Sequence, residues 1–239
     1  MKLTAVGLAG IISGVSSTNK ARLRGISAVL FDLDGTLGET RIDFSAMKGA
    51  MLAQARGRGL EAANLSGLDI LAIVEQAAAH LPESEREAYR EEAWRKLEEF
   101  ELRHISEARP MPGACQSALR LHEAGLRLGI ITRNCRAAAD HLLALLPPVF
   151  EVCLTREDVS RCKPDPLHIR AALDLMRVEP KQALVAGDHR MDVQAGKAAG
   201  AFAAGILAGR PRDYFDAYEP DAVFRTLKEL ADALIGPDR

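Results

Sequence analysis

The chain has 239 residues, 48% of them hydrophobic and 27% charged, a composition that folds around a buried core and excludes a disordered chain. Its 31 Lys and Arg against 33 Asp and Glu leave a net charge of -2, which argues against a general nucleic-acid binder. Aromatics at 5% leave no wall of rings for base stacking, and no run of about 18 apolar residues supplies a membrane span.

The length exceeds the usual ~100–150 residues of a single domain, so one large domain or a core with an inserted module is expected. Residues 1–24 read as an N-terminal extension, loosely ordered or helical; Met1–Ser17 is mildly apolar but lacks a small-x-small cleavage site. The first strand is Ser27–Phe31, a continuous apolar run that breaks at Asp32-Leu33-Asp34-Gly35-Thr36. From 39 to 109 no convincing strand follows. Gly57, Gly59, Gly67 and Pro82 punctuate short helices, and a longer helix is predicted from Ser84, with Glu87 completing a capping box, to about Glu107. Trp94, Leu97, Phe100, His104 and Ile105 are predicted on its buried face.

After 110 strands and helices alternate. Helix Ala114–Glu123 follows Pro112-Gly113 and stops before Gly125, and strand Arg127–Thr132 comes next. A short strand is predicted at Val152–Leu154. Asp165-Pro166 opens helix Leu167–Arg177, with Asp165 as N-cap and Pro166 as first helical residue. Strands Ala183–Gly187, Ala203–Ile206 and Ala222–Phe224 complete the pattern, and Gly200 caps a helix packed closely on the sheet. The fold class is therefore α/β: a Rossmann-like parallel sheet with helices on both faces, formed by 25–38 and 110–239. An all-helical module, 39–109, interrupts it.

Asp32 and Asp34 are two apart in an extended segment, so both carboxylates can meet one ligand. Gly187-Asp188-His189-Arg190-Met191-Asp192 repeats that placement after another apolar strand, and ligands bind at the carboxyl ends of strands in open parallel sheets. Two like charges at 4 Å cost about 4 kcal/mol at an effective dielectric of 20. A hard divalent ion with oxygen ligands relieves that repulsion, and Mg²⁺ suits a site that also receives phosphate. Lys163, between Cys162 and Pro164, is a candidate for further positive charge, and Thr132-Arg133-Asn134 can form a small oxyanion cradle.

These four segments, in this order, resemble the haloacid dehalogenase-like hydrolase superfamily in its Mg²⁺-dependent phosphatase branch, with phosphoglycolate-phosphatase-like proteins as the nearest comparison. Asp32-Leu33-Asp34-Gly35-Thr36-Leu37, Ile131-Thr132-Arg133-Asn134, Lys163-Pro164-Asp165-Pro166 and Gly187–Gly200 carry the resemblance. It implies that Asp32 is a nucleophile forming an aspartyl-phosphate, and that Asp34 is a general acid and then base. It further implies that Thr132 and Lys163 are catalytic and, with Arg133 and Asn134, hold phosphate. Asp32, the Asp34 backbone carbonyl, Asp188 and, directly or in support, Asp192 bind Mg²⁺. The helical module becomes a substrate-selecting cap, working through Glu39, Thr40, Arg41 and Asp43.

Asp34 makes dehalogenation unexpected, because family members that remove halides typically lack that aspartate. His189 stands where the family more often has a small hydroxyl residue, and is expected to be a solvent-facing neighbour. The other histidines show no metal spacing. The expected substrate is a small phosphorylated metabolite, with no nucleic acid and no membrane as partner. The chain is expected to be cytoplasmic, a monomer or homodimer, with its four cysteines reduced and none in a C-x-x-C pair. A phosphosugar mutase using the same nucleophile is the alternative, and a non-catalytic binding protein is a third reading.

Overall fold

A computed structural model describes residue 19 and residues 22–237. Its described residues form two compact units, one up to Thr40 and from Ala108 onward, the other Arg41–Glu107. The first contains a six-stranded sheet. Its strands are β1 (Ala28–Phe31), β4 (Arg127–Ile131), β5 (Phe150–Leu154), β6 (Ala183–Gly187), β7 (Phe202–Ile206) and β8 (Ala222–Phe224). They lie in the order β5-β4-β1-β6-β7-β8, and every pairing is parallel.

The continuous apolar run of β1 follows from its central position, since a strand covered on both faces has no side free for polar residues. Val29 and Phe31 enter one core with Ala118 and Leu121 of α5 (Ala114–Glu123), Leu142 of α6 (Arg136–Leu143) and Leu230 of α9 (Leu227–Ile235). Ala28 and Leu30 enter the other, with Ile169 and Leu173 of α7 (Leu167–Met176) and Ala195 of α8 (Arg190–Ala199). Alternation along the strand thus feeds helices on both faces. The α/β, Rossmann-like reading holds. The chain leaves β1 toward β4 and leaves β6 toward β7. Connections diverging between neighbouring parallel strands open a crevice at their carboxyl ends.

Boundaries differ from expectation in a few places. The predicted strand pattern misses β2 (Gly38–Glu39) and β3 (Arg109–Pro110), a two-residue antiparallel ladder. Two residues are too few to show a period of two. Pro166 takes the N-cap position of α7 rather than the first helical one, while Asp165 Oδ1 still accepts from the Leu167 N–H at 2.9 Å. Gly200 caps α8 in the left-handed region, at φ +86°. Most of the expected extension 1–24 lies outside the described residues. Of its described part, Asn19 Nδ2 donates to the Asp221 carbonyl at 2.7 Å and Leu23 is buried in the core.

The second unit is helical: α1 (Phe44–Gly57), α2 (Ala62–Leu65), α3 (Ile70–His80), α4 (Glu83–Leu102) and a 3-10 turn at Ile105–Glu107. Asp43 and Asp69 cap α1 and α3 through their carboxylates. The predicted capping box at Ser84 is absent. Pro82, with φ -51° and ψ 144°, takes the cap, so α4 starts at Glu83 and Ser84 lies inside it. The helix ends at Leu102, and its buried stripe is Tyr89, Ala93, Leu97 and Glu101. Trp94 and Phe100 flank that stripe, and His104 lies in the exposed turn beyond. Met47, Met51, Ile73, Val74 and Leu97 make this unit's own core. No helix among the described residues is long and apolar enough to cross a membrane, and the four cysteines are free thiols.

Candidate active site

The Asp32 N–H donates to the Ala186 carbonyl at 2.9 Å, carrying the β1–β6 ladder one step past the strand end. The chain then folds tightly. The Leu33 carbonyl accepts from the N–H groups of Leu37 and Gly38 at 2.9 and 2.8 Å, and Gly35 N–H donates to the Gly38 carbonyl at 2.7 Å. Buried Leu33 and Leu37 pin this loop to the core below. Gly35 is required twice over: its φ is +85°, and a Cβ there would lie 2.6 Å from Asp188 Oδ2. The Asp34 carboxylate accepts from the Thr40 hydroxyl at 2.6 Å.

Lys163 reaches the same place from the loop before α7, where its peptide bond to Pro164 is cis. Its Nζ donates to Asp32 Oδ1 at 2.6 Å, Asp192 Oδ1 at 2.6 Å and the Ile131 carbonyl at 2.9 Å. All three ammonium protons are therefore spoken for. Asp192 turns its other oxygen to the His189 N–H at 3.1 Å. This approach needs Gly187, where a Cβ would lie 2.1 Å from Asp192 Cγ.

Among the described residues, Asp32, Asp188 and Asp192 alone form a group of three metal-ligating side chains, with donor atoms within 4.8 Å of one another. Three hard carboxylate oxygens suit a hard divalent cation rather than a soft one. Asp34 is not part of this group, its carboxylate being turned to Thr40, so only its backbone carbonyl remains as the donor that the resemblance implied.

Burial pushes the Asp32 carboxyl up to about 8, opposed by the Lys163 ammonium and reinforced by Asp192 and Asp188. Burial alone would pull Lys163 down. The carboxylates of Asp192 and Asp32 outweigh it and hold the ammonium up to about 12. The lysine thus stays charged between two acids, one of which strongly resists ionisation without further positive charge.

Thr132, buried after β4, donates its N–H to the Leu154 carbonyl at 2.8 Å and accepts the Asn134 N–H on its hydroxyl at 3.2 Å. Asn134 is also buried, and its Nδ2 has no hydrogen-bond partner. Arg133 is half-buried with its guanidinium against the Met191 sulfur. His189 is not a solvent-facing bystander. It is half-buried as the N-cap of α8, and its Nδ1 accepts the Met191 N–H at 3.3 Å. A ring nitrogen that accepts carries no proton, and burial holds this imidazole below its usual range.

Two partners of Asp188 escaped the sequence reading. The Thr36 hydroxyl lies 3.3 Å from its Oδ1, and Arg210 Nη1 donates to its Oδ2 at 2.6 Å. Thr36 stood inside the first motif without a stated task, whereas Arg210 belongs to no motif. His168 was given no metal role on its spacing, and its burial was not foreseen. It is wholly buried, with Nε2 on the Leu154 carbonyl at 3.2 Å and Nδ1 without a partner.

The haloacid dehalogenase-like hydrolase family model matches residues 26–200. A haloacid dehalogenase-like hydrolase domain-containing protein of Arabidopsis thaliana is 33% identical over 194 residues, 80% of this chain and 74% of that protein. Pyrophosphatase PpaX of Bacillus cereus is 28% identical over 221 residues, covering 90% of this chain and 99% of its own. A HAD family hydrolase from Deinococcus radiodurans, solved with bound phosphate and sodium, superposes with a TM-score of 0.60 at 23% identity, over 90% of this chain and all of that one. On the family match and these alignments, together with the fold, the chain belongs to the haloacid dehalogenase-like hydrolases.

Proposed function

We propose that the protein is a Mg²⁺-dependent phosphatase that hydrolyses a small phosphate monoester through an aspartyl-phosphate on Asp32. The observation that carries this reading is the convergence of Asp32, Asp188 and Asp192, with Lys163 held between two of them at 2.6 Å. Asp32, Asp188, Asp192 and the Asp34 backbone carbonyl would hold the Mg²⁺. When bound, the ion supplies positive charge that favours the ionised Asp32 and the transferring phosphoryl oxygens.

In the first step an Asp32 oxygen attacks phosphorus while the bond to the leaving oxygen breaks, and Asp34 gives that oxygen its proton. In the second, Asp34 takes a proton from water, whose oxygen attacks the same phosphorus. Inorganic phosphate leaves and the Asp32 carboxylate is restored. Thr132 and the donor-rich Arg133-Asn134 segment stabilise charge on the phosphoryl oxygens by hydrogen bonding, while Lys163, its three protons engaged, acts through its charge beside Asp32. The unsatisfied Asn134 Nδ2 supports that assignment, since a buried donor without a partner is costly unless a ligand supplies one.

We assign substrate selection to the helical insert, residues 39–109 as read from sequence. The four positions first considered for it already have partners. Glu39 pairs with Arg109 and Thr40 with Asp34, while Arg41 pairs with Glu107 and Asp43 caps α1.

The test is a phosphate-release screen over small phosphate esters and inorganic pyrophosphate, the latter prompted by the name of the Bacillus cereus relative. Mg²⁺-dependent release that EDTA abolishes, and that Asp32→Asn lowers by several orders of magnitude, is expected. Release that survives in the variant or without metal would falsify the reading. A phosphosugar mutase would return the phosphoryl group to a sugar, so rapid accumulation of free phosphate separates the two.

A further inference from the structure

Arg210 is the cation at the site that neither the motifs nor the proposed steps employ. It follows β7 in a turn where Ala208 and Gly209 both take positive φ, +46° and +89°. The Arg210 N–H closes that turn on the Leu207 carbonyl at 2.8 Å. A non-glycine residue held in the left-handed region marks a conformation imposed by its surroundings. The turn brings the guanidinium to Asp188 Oδ2 at 2.6 Å, with side chains 33% and 9% exposed. The same guanidinium lies over the Tyr214 ring, 4.9 Å from its centroid. Tyr214 in turn packs edge-on against buried Phe215. Arg210 therefore has two supports, an acid and an aromatic face, and loses only one of them if Asp188 turns to another cation.

We propose that Arg210 is a positioning residue that pairs with Asp188 and competes with the divalent cation for it, weakening Mg²⁺ binding. The inference rests on the reading of Asp188 as a metal ligand. Lys163 is shared between Asp32 and Asp192, and Arg210 pairs with the remaining member of the trio. An always-charged guanidinium cannot be removed by deprotonation, so a metal arriving at Asp188 must either displace it or bind against its repulsion. Arg210 thereby separates this chain's cation affinity from its bare count of carboxylates.

The experiment is Mg²⁺ titration by calorimetry of the full-length, EDTA-stripped protein and of Arg210→Gln and Arg210→Lys, with melting temperature measured at zero and saturating Mg²⁺. Arg210→Gln is expected to bind Mg²⁺ about fivefold tighter or more, to melt lower than the parent without metal, and to gain more from metal. Arg210→Lys, which keeps the charge, should remain near the parent. A merely structural arginine predicts the opposite sign, weaker binding in the glutamine variant. Unchanged or weaker binding there, with the parent binding normally, overturns the competition while leaving the metal reading intact. Failure of parent and variants alike to bind Mg²⁺ overturns both.

Discussion

Thr40 donates its hydroxyl to Asp34 Oδ1 across 2.6 Å, so the carboxylate proposed as acid and base is aimed by a residue six positions further along the chain, just past β2. Removing that hydroxyl in Thr40→Val should lower kcat by about 10- to 100-fold, the usual cost of losing an orienting partner. KM should change little, and Thr40→Ser should restore most of the rate. Steady-state kinetics on the best substrate of the screen checks this. Equal rates in Thr40→Val would show that Asp34 needs no such guide.

Magnesium should raise the melting temperature of the stripped protein, because binding to the folded state alone adds to its stability. The gain should be larger at pH 8 than at pH 5. Burial pushes the Asp32 carboxyl up to about 8 without metal, so at pH 5 the ion must displace a proton to use it. Differential scanning fluorimetry at both pH values, with and without Mg²⁺, gives the comparison. A gain independent of pH would mean that Asp32 is not among the ligands.

Gly187→Ala should cost stability and metal affinity together. The added methyl would stand 2.1 Å from Asp192 Cγ, and overpacking of this kind costs about 1–3 kcal/mol. Asp192 must then shift, taking its contact with Lys163 along. Denaturant melts paired with Mg²⁺ titration test the coupling. A variant that is destabilised but binds Mg²⁺ normally would separate Asp192 from the site.

His168 should make the protein sensitive to mild acid. Burial, then the Lys163 charge, pushes its imidazole down to about 4 from its ordinary 6.5. The unfolded chain therefore binds the extra proton between those values, and stability falls as pH drops from 6.5 toward 4. The loss totals on the order of 3 kcal/mol once pH is below 4. His168→Gln should show a shallower slope in that window, measured by urea melts from pH 7 to 4. Parallel slopes would show that His168 is already charged in the fold.

What the sequence made legible were features written in neighbouring residues. β1 is central, so its apolar run is unbroken, and the acids that matter sit directly where β1 and β6 stop. Arg210 was hidden because its partner is 22 residues away and its placement depends on a turn with two positive φ values. The buried face of α4 was misplaced for a related reason. Trp94 and Phe100 are its largest apolar side chains, yet the stripe that packs runs through Tyr89, Ala93 and Leu97. Tyr89 is wholly buried at the head of that stripe, but its polar hydroxyl and the small Ala93 give the stripe little weight beside those two apolar rings.

The insert leaves and re-enters the sheet-bearing unit through the Gly38–Glu39 and Arg109–Pro110 ladder. Facing residues in such a ladder stand only about 5 Å apart, so a brief hairpin turn could bridge Thr40 and Ala108 without moving either strand. That junction works as a socket. Helical segments of other lengths could be exchanged there, and a pared-down catalyst lacking Arg41–Glu107 would retain its acids, its lysine and its sheet.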